Sequence, residues 1–220
     1  MKFFNLHTHN FTNDPDVLEL VNQYPWEFNA TIPNYSIGIH PWHIDENRLE
    51  SDLKIIEEKI QLSECLALGE CGLDKRIEVP MELQISVFER QITLAEKYKK
   101  PLVLHLVAAF EELIEIKNRL KIQVPIIIHG FSKSEQLAKQ LIQNGFYLSF
   151  GKYLLQSQSF GIELESVFQS VPNDRFFLET DTIEESLEEV YSLAANYKNL
   201  SKEEIQNILN TNFAKVFKQS

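Results

Sequence analysis

Six times along the chain a short apolar run stops at a side chain able to ligate a metal. Phe3-Phe4-Asn5-Leu6 runs into His7-Thr8-His9, Ser36-Ile37-Gly38-Ile39 into His40, and Leu66-Ala67-Leu68-Gly69 into Glu70. Leu102-Val103-Leu104 runs into His105, Ile126-Ile127-Ile128 into His129, and Phe176-Phe177-Leu178-Glu179-Thr180 into Asp181. Runs with so little alternation read as strands buried on both faces, the mark of a parallel sheet flanked by helices. In that architecture ligands gather at the carboxyl ends of the strands. On an extended strand alternate side chains share a face, so His7 and His9 can address one cation.

Helical patterns separate these runs. Leu53, Ile56 and Ile60 place a helix over Ser51–Gln61 with Ser51 as its N-cap, and Met81, Ile85, Phe88, Ile92 and Ala95 form one stripe behind Pro80. Further helices are expected at 110–120, 135–143 and 162–170, and a last one carries Ile205, Ile208, Leu209, Val216 and Phe217. Thr182-Ile183-Glu184-Glu185 and Ser201-Lys202-Glu203-Glu204 both fit a capping box. Asp16–Asn22 is too brief for periodicity to separate a strand from a short helix and is taken as a strand, Phe146–Phe150 reads as a strand, Tyr24–Asn34 as a loop, and Cys71–Asp74 as a turn at Gly72. About eight strands alternating with helices predict a (β/α)8 TIM-type barrel. No linker or repeat divides the chain, so residues 1–220 are expected to form a single domain.

The formal charge of −11 argues against a protein that coats nucleic acid through a basic surface. It leaves room for an enzyme acting on phosphates, because bound cations supply positive charge locally. The four-residue apolar run before His7 is too short for a signal peptide, and no later run approaches a membrane span, so a cytoplasmic location without membrane or obligate protein partner is expected. Cys65 and Cys71 lack CxxC spacing and read as reduced thiols, with Cys71 a packing residue.

If the strands end on one rim, His7, His9, Glu70, His105, His129 and Asp181 supply four imidazoles and two carboxylates. That set suffices for two divalent metal ions, with Glu70 a candidate bridge; mixed nitrogen and oxygen donors suit Zn²⁺ and Mn²⁺, and Mg²⁺ less well. His43 reads as a structural residue, while Trp26 and Trp42 either stack on a base or pack the loop over the rim.

His7-Thr8-His9, Gly38-Ile39-His40-Pro41, Gly69-Glu70-Cys71-Gly72-Leu73-Asp74, His129-Gly130-Phe131-Ser132, Glu179-Thr180-Asp181 and Asn210-Thr211-Asn212-Phe213 occur in that order. The set resembles the HxH, GxHP, GExGLD, HxFS, ETD and Asn-rich segments of the TatD-related metal-dependent hydrolases, within the amidohydrolase-like superfamily. The resemblance implies a distorted TIM barrel with a divalent-metal site and DNase activity, often a 3′ to 5′ exonuclease on DNA single strands or 3′ ends. It implies His7, His9, Glu70, His105, His129 and Asp181 as metal ligands, Glu70 and Asp181 as catalytic residues with Asp181 the base, and His40 as a hydrogen-bond donor at the scissile phosphate. Two positions depart from the family pattern: Val107 stands where an Arg usually follows His105, and Thr182-Ile183 stand where a small residue and Pro usually follow the ETD. Without that Arg one bidentate phosphate contact is lost, with Lys75, Arg76 and Lys152 as basic candidates to supply it. The alternative substrate is a small-molecule ester, lactone or amide.

Overall fold

The apolar runs do form strands. The structure, a computed structural model, describes residues 2–156, 164–183 and 185–218. The strands are β1 Phe3–Thr8, β2 Val17–Gln23, β3 Tyr35–Ile37, β4 Cys65–Asp74, β5 Leu102–Val107, β6 Ile126–Ile128, β7 Tyr147–Phe150 and β8 Phe176–Leu178. They lie in one eight-stranded sheet in chain order, and Thr8 also makes a parallel bridge to Asp181, beyond β8. Sequential order with a first-to-last bridge is the topology of a (β/α)8 barrel. Between strands come α1 Leu49–Lys59, α2 Met81–Tyr98, α3 Phe110–Leu120, α4 Glu135–Gln143, the single turn α5 Lys152–Leu155, α6 Leu164–Ser170, α7 Leu187–Lys198 and α8 Lys202–Phe217. No described helix is long and apolar enough to cross a membrane.

The chain groups into two compact units, residues 1–21 with 128–220 and residues 22–127. In the first, β1 pairs with the start of β2, and β7 with β8, all parallel. Its core gathers phenylalanines: the ring of Phe4 lies 5.8 Å from Phe177, 4.7 Å from Phe213 and 5.5 Å from Phe217. The buried Tyr191 hydroxyl of α7 accepts from Phe4 N at 3.0 Å and donates to Phe4 O at 2.9 Å, anchoring β1 three residues before the histidine pair begins.

In the second unit β3, β4 and β5 pair in parallel. Two glutamines of α2, seven residues apart and so on one helix face, point inward and clamp main chain. Gln91 accepts from Ile39 N at 2.8 Å and donates to Ile39 O at 3.1 Å. Gln84 does the same for Asp74, with distances of 2.8 and 3.0 Å. A buried amide that satisfies both groups of a peptide replaces the ladder bonds the strand ends lack.

Several local expectations are corrected. The segment Cys71–Asp74 is strand, not turn, and Gly72 serves a different end: at φ +137° it lets β5 approach so closely that a Cβ would stand 2.1 Å from His105 O. α1 begins two residues earlier than expected, with Arg48 as N-cap, and Ser51 instead donates back to Arg48 O at 2.7 Å. β3 ends at Ile37, so His40 sits at the cap of a 3-10 turn, Pro41–His43, rather than at a strand end. The capping box of α7 is Ser186 with Glu189, which displaces the one expected at Thr182; Glu184 lies outside the described residues. The box at Ser201 and Glu204 forms as expected, and Ile162 of the helix expected at 162–170 lies outside the described residues. Both cysteines are free and buried.

Candidate metal centre

In the first unit the site is set by backbone pairing. Asp181 N donates to His7 O at 2.9 Å and His9 N donates to Asp181 O at 3.1 Å, so the main chain of Asp181 is joined to both sides of Thr8. Asp181 adopts φ +53°, a left-handed conformation that aspartate tolerates better than most residues. The carboxylate then stands with Oδ1 3.7 Å from His7 Nε2 and 3.5 Å from His9 Nε2. Two ligands each about 2.1 Å from one ion, at a tetrahedral angle, stand about 3.4 Å apart. The spacing therefore fits a shared cation better than a direct hydrogen bond.

His129 follows β6, and its ring lies 4.4 Å from that of His7. One ligand atom from each of His7, His129 and Asp181 falls within a sphere where all lie under 4.8 Å apart. Behind His129 is Glu179, 1% exposed, with Oε1 3.4 Å from His129 Nδ1 and accepting from Gly130 N at 2.7 Å. Burial would push the Glu179 carboxyl up, but the imidazoles of His129 and His7 outweigh it and hold the group below the usual carboxylate range. A carboxylate behind a histidine fixes the ring's tautomer and orientation, the usual support of a metal-ligating imidazole.

In the second unit side chains organise the site. Asn22 accepts from Glu70 N at 2.7 Å, and Gly38 leaves room for Glu70 O, 2.8 Å from where a Cβ would be. Glu70 Oε1 lies 3.2 Å from His40 Nε2 and 3.1 Å from His105 Nδ1. The other nitrogen of His105, Nε2, faces Asp74 Oδ2 at 3.3 Å. A neutral imidazole carries one N–H, so only one of these carboxylates can accept from it. The other faces a ring lone pair, an arrangement that a cation between them relieves.

His40 takes a different part. Its Nδ1 accepts the Trp42 main-chain N–H at 3.0 Å, so the neutral ring carries its proton on Nε2. Burial is the main cause holding its pKa below the ordinary histidine value, which favours that neutral form. Although His40, Glu70 and His105 bring donor atoms together, the tautomer makes His40 Nε2 a hydrogen-bond donor rather than a ligand. Asp74 closes the group, accepting from Trp42 Nε1 at 2.8 Å on Oδ2 and from Arg76 N at 2.8 Å on Oδ1. Burial would raise its pKa, but the Trp42 bond, with Arg76 N and His105, holds it below the ordinary value.

The structure thus brings His7, His9, His129 and Asp181 together in one unit, and Glu70, His105 and His40 together in the other. Sequence reasoning missed Glu179 and Asp74, although each lies inside a quoted motif. Taking one ligand per strand end hid the acidic residues that orient those ligands. His43 is exposed and stacks edge-on against Tyr24 and Trp26 at 5.2 and 5.7 Å.

Histidines and carboxylates at the strand ends of a (β/α)8 sheet define the class of metal-site barrel proteins. The chain belongs to the TatD-related DNase family, whose profile matches residues 2–218. Among its relatives, the uncharacterized metal-dependent hydrolase YabD of Bacillus subtilis (strain 168) is 32% identical over 74% of this chain and 62% of its own length. The 3′-5′ ssDNA/RNA exonuclease TatD of Cronobacter turicensis is 29% identical over 66% of this chain and 55% of its own. In both, the match spans less than two thirds of the relative. The solved structure of YJJV, a TatD homolog from Escherichia coli K12, shares the fold with a TM-score of 0.83 at 20% identity, covering 99% of this chain and 98% of that one.

Proposed function

We propose that the chain is a divalent-metal-dependent phosphodiesterase that removes nucleotides from the 3′ end of single-stranded nucleic acid. His7, His9, His129 and Asp181 would hold one cation and Glu70 and His105 a second, and the continuous family match supports reading both units as parts of one domain. The observation that carries this is the spacing of Asp181 Oδ1 from both His7 Nε2 and His9 Nε2, imposed by main-chain bonds rather than by side-chain freedom. Bound divalent cations supply Lewis acidity, making water a stronger acid and neutralising charge on the phosphoryl oxygens.

The remaining chemistry belongs to the chain. Asp181 accepts the proton of the attacking water through its carboxylate, which is about one quarter exposed and so reachable. His40 Nε2–H, which faces Glu70 Oε1 at 3.2 Å, would turn to a non-bridging phosphate oxygen once a cation engages Glu70, a role its tautomer allows. Glu179 keeps His129 in register, and Asp74 does so for His105. Val107 ends β5 without a cation; among the basic candidates to replace it, Lys75 is engaged with Glu112 at 2.6 Å, whereas Arg76 is exposed.

Val107 and the charge of −11 favour one second reading, hydrolysis of a small ester, lactone or amide. Metal-stripped protein, resupplied with Mg²⁺, Mn²⁺ or Zn²⁺, is expected to release label from a 3′-labelled single-stranded oligonucleotide, and Glu70→Ala to abolish that release. Inert protein that still takes up metal would remove the nuclease reading and leave small esters and amides to be tried.

A further inference from the structure

Trp42 is 58% exposed, more than any other large hydrophobic residue among those described. It is nevertheless held from several sides. Its main-chain N–H binds His40 Nδ1, its indole N–H binds Asp74 Oδ2, and its ring sits edge-on to His40 at 5.1 Å and to His105 at 5.5 Å. The 3-10 turn that carries it starts at Pro41, with φ restricted by the ring. That turn is braced in turn: Arg48 donates to His43 O at 2.8 Å and lies 3.8 Å over Trp26, which stacks on Tyr24 at 4.9 Å with only 11° between the rings. A side chain fixed this firmly, yet left facing water beside the imidazoles that flank Glu70, loses little conformational entropy when a flat partner covers it.

We propose that Trp42 is the stacking platform for the base of the nucleotide being removed, a specificity-determining contact that rests on the nuclease reading above. Aromatic stacking accepts every base because each has a π face, as a sequence-tolerant exonuclease requires. It also supplies affinity that does not depend on attracting phosphates, which a chain with a charge of −11 and Val107 at the end of β5 does poorly. The same Asp74 that holds the indole on one oxygen holds the main chain of the exposed Arg76 on the other, so an aromatic face and a cationic residue are set out from one carboxylate.

The test uses metal-supplied protein, unmodified and Trp42→Ala, on two single-stranded oligonucleotides that differ only in the last 3′ residue, ordinary in one and abasic in the other. Trp42→Ala is expected to raise KM for the ordinary end roughly 10-fold, within the range of one base stack. KM for the abasic end stays where it was, and Trp42→Phe, which keeps an aromatic face, recovers most of the loss. An equal loss on both ends would mean that the indole merely positions Asp74 and His105, and would overturn the proposal. If no protein cleaves either strand, the nuclease reading fails separately, and equilibrium binding decides about Trp42. Affinity for a deoxynucleoside 5′-monophosphate roughly 10-fold weaker in Trp42→Ala, with deoxyribose 5-phosphate unaffected, supports the platform. Equal affinities of the two proteins for the nucleotide overturn it.

Discussion

The two clusters reach similar ligand spacings by opposite means. Around Asp181 the main chain does the placing: two backbone hydrogen bonds to His7 and His9 carry the carboxylate to its position. Around Glu70 and His105 the placing is done by side chains, with Gln84 and Gln91 clamping the flanking peptides, Asn22 holding Glu70 N, and Asp74 backing His105. A site set by strand pairing tolerates changes in the surrounding side chains. One set by buried amides depends on each of them, because an unmade buried hydrogen bond costs the full desolvation of the group left behind.

The largest expected effect falls on the first cluster. Asp181→Asn leaves the backbone bonds intact while removing the proton acceptor and an anionic ligand, and should lower oligonucleotide cleavage about 1000-fold, as loss of a general base does. Folding, followed by thermal denaturation, should barely change. In the second cluster the damage should instead be structural. Gly72→Ala would drive a Cβ into His105 O, where only 2.1 Å is open, and should weaken metal uptake at Glu70 and His105 together with stability. Gln84→Leu strands the N–H and C=O of Asp74 and should cost roughly 2 kcal/mol in denaturant unfolding. A Gln84→Leu protein as stable as the unmodified one would break the contrast.

The smallest effect is on pH dependence. His40, Asp74 and Glu179 are all held below their ordinary values, so each binds fewer protons folded than unfolded. Their stabilisation is present at neutral pH and is lost on acidification, from about pH 6.5 downward for His40 and below about pH 4 for the carboxylates. Melting temperature of the metal-free protein should therefore fall between about pH 6.5 and 5, and His40→Gln should flatten that part of the curve.

The same contrast explains what a reader of the sequence sees. β1, β6 and α3 are legible because short, largely apolar runs and a helical stripe leave one good arrangement each. His7, His9 and Asp181 follow, since strand register carries them. Gly72 misleads: a glycine after a strand signals a turn, and here it answers the close approach of a residue 33 positions away, His105. Ser51 and Thr182 carry capping chemistry where the chain enters its helices at Arg48 and Ser186, because tertiary packing decides which of several adequate caps is used. Glu179 and Asp74 support their histidines through contacts 50 and 31 residues away, which no local spacing encodes.

Metal content per chain is the most direct test of the central claim. Metal-stripped protein titrated with Mn²⁺ or Zn²⁺ should take up two ions, and His129→Ala and His105→Ala should each retain one, the first losing the ion of the Asp181 cluster and the second that of the Glu70 cluster. Uptake of no ion by the unmodified protein, or of two by both variants, would contradict the assignment of one cation to each cluster.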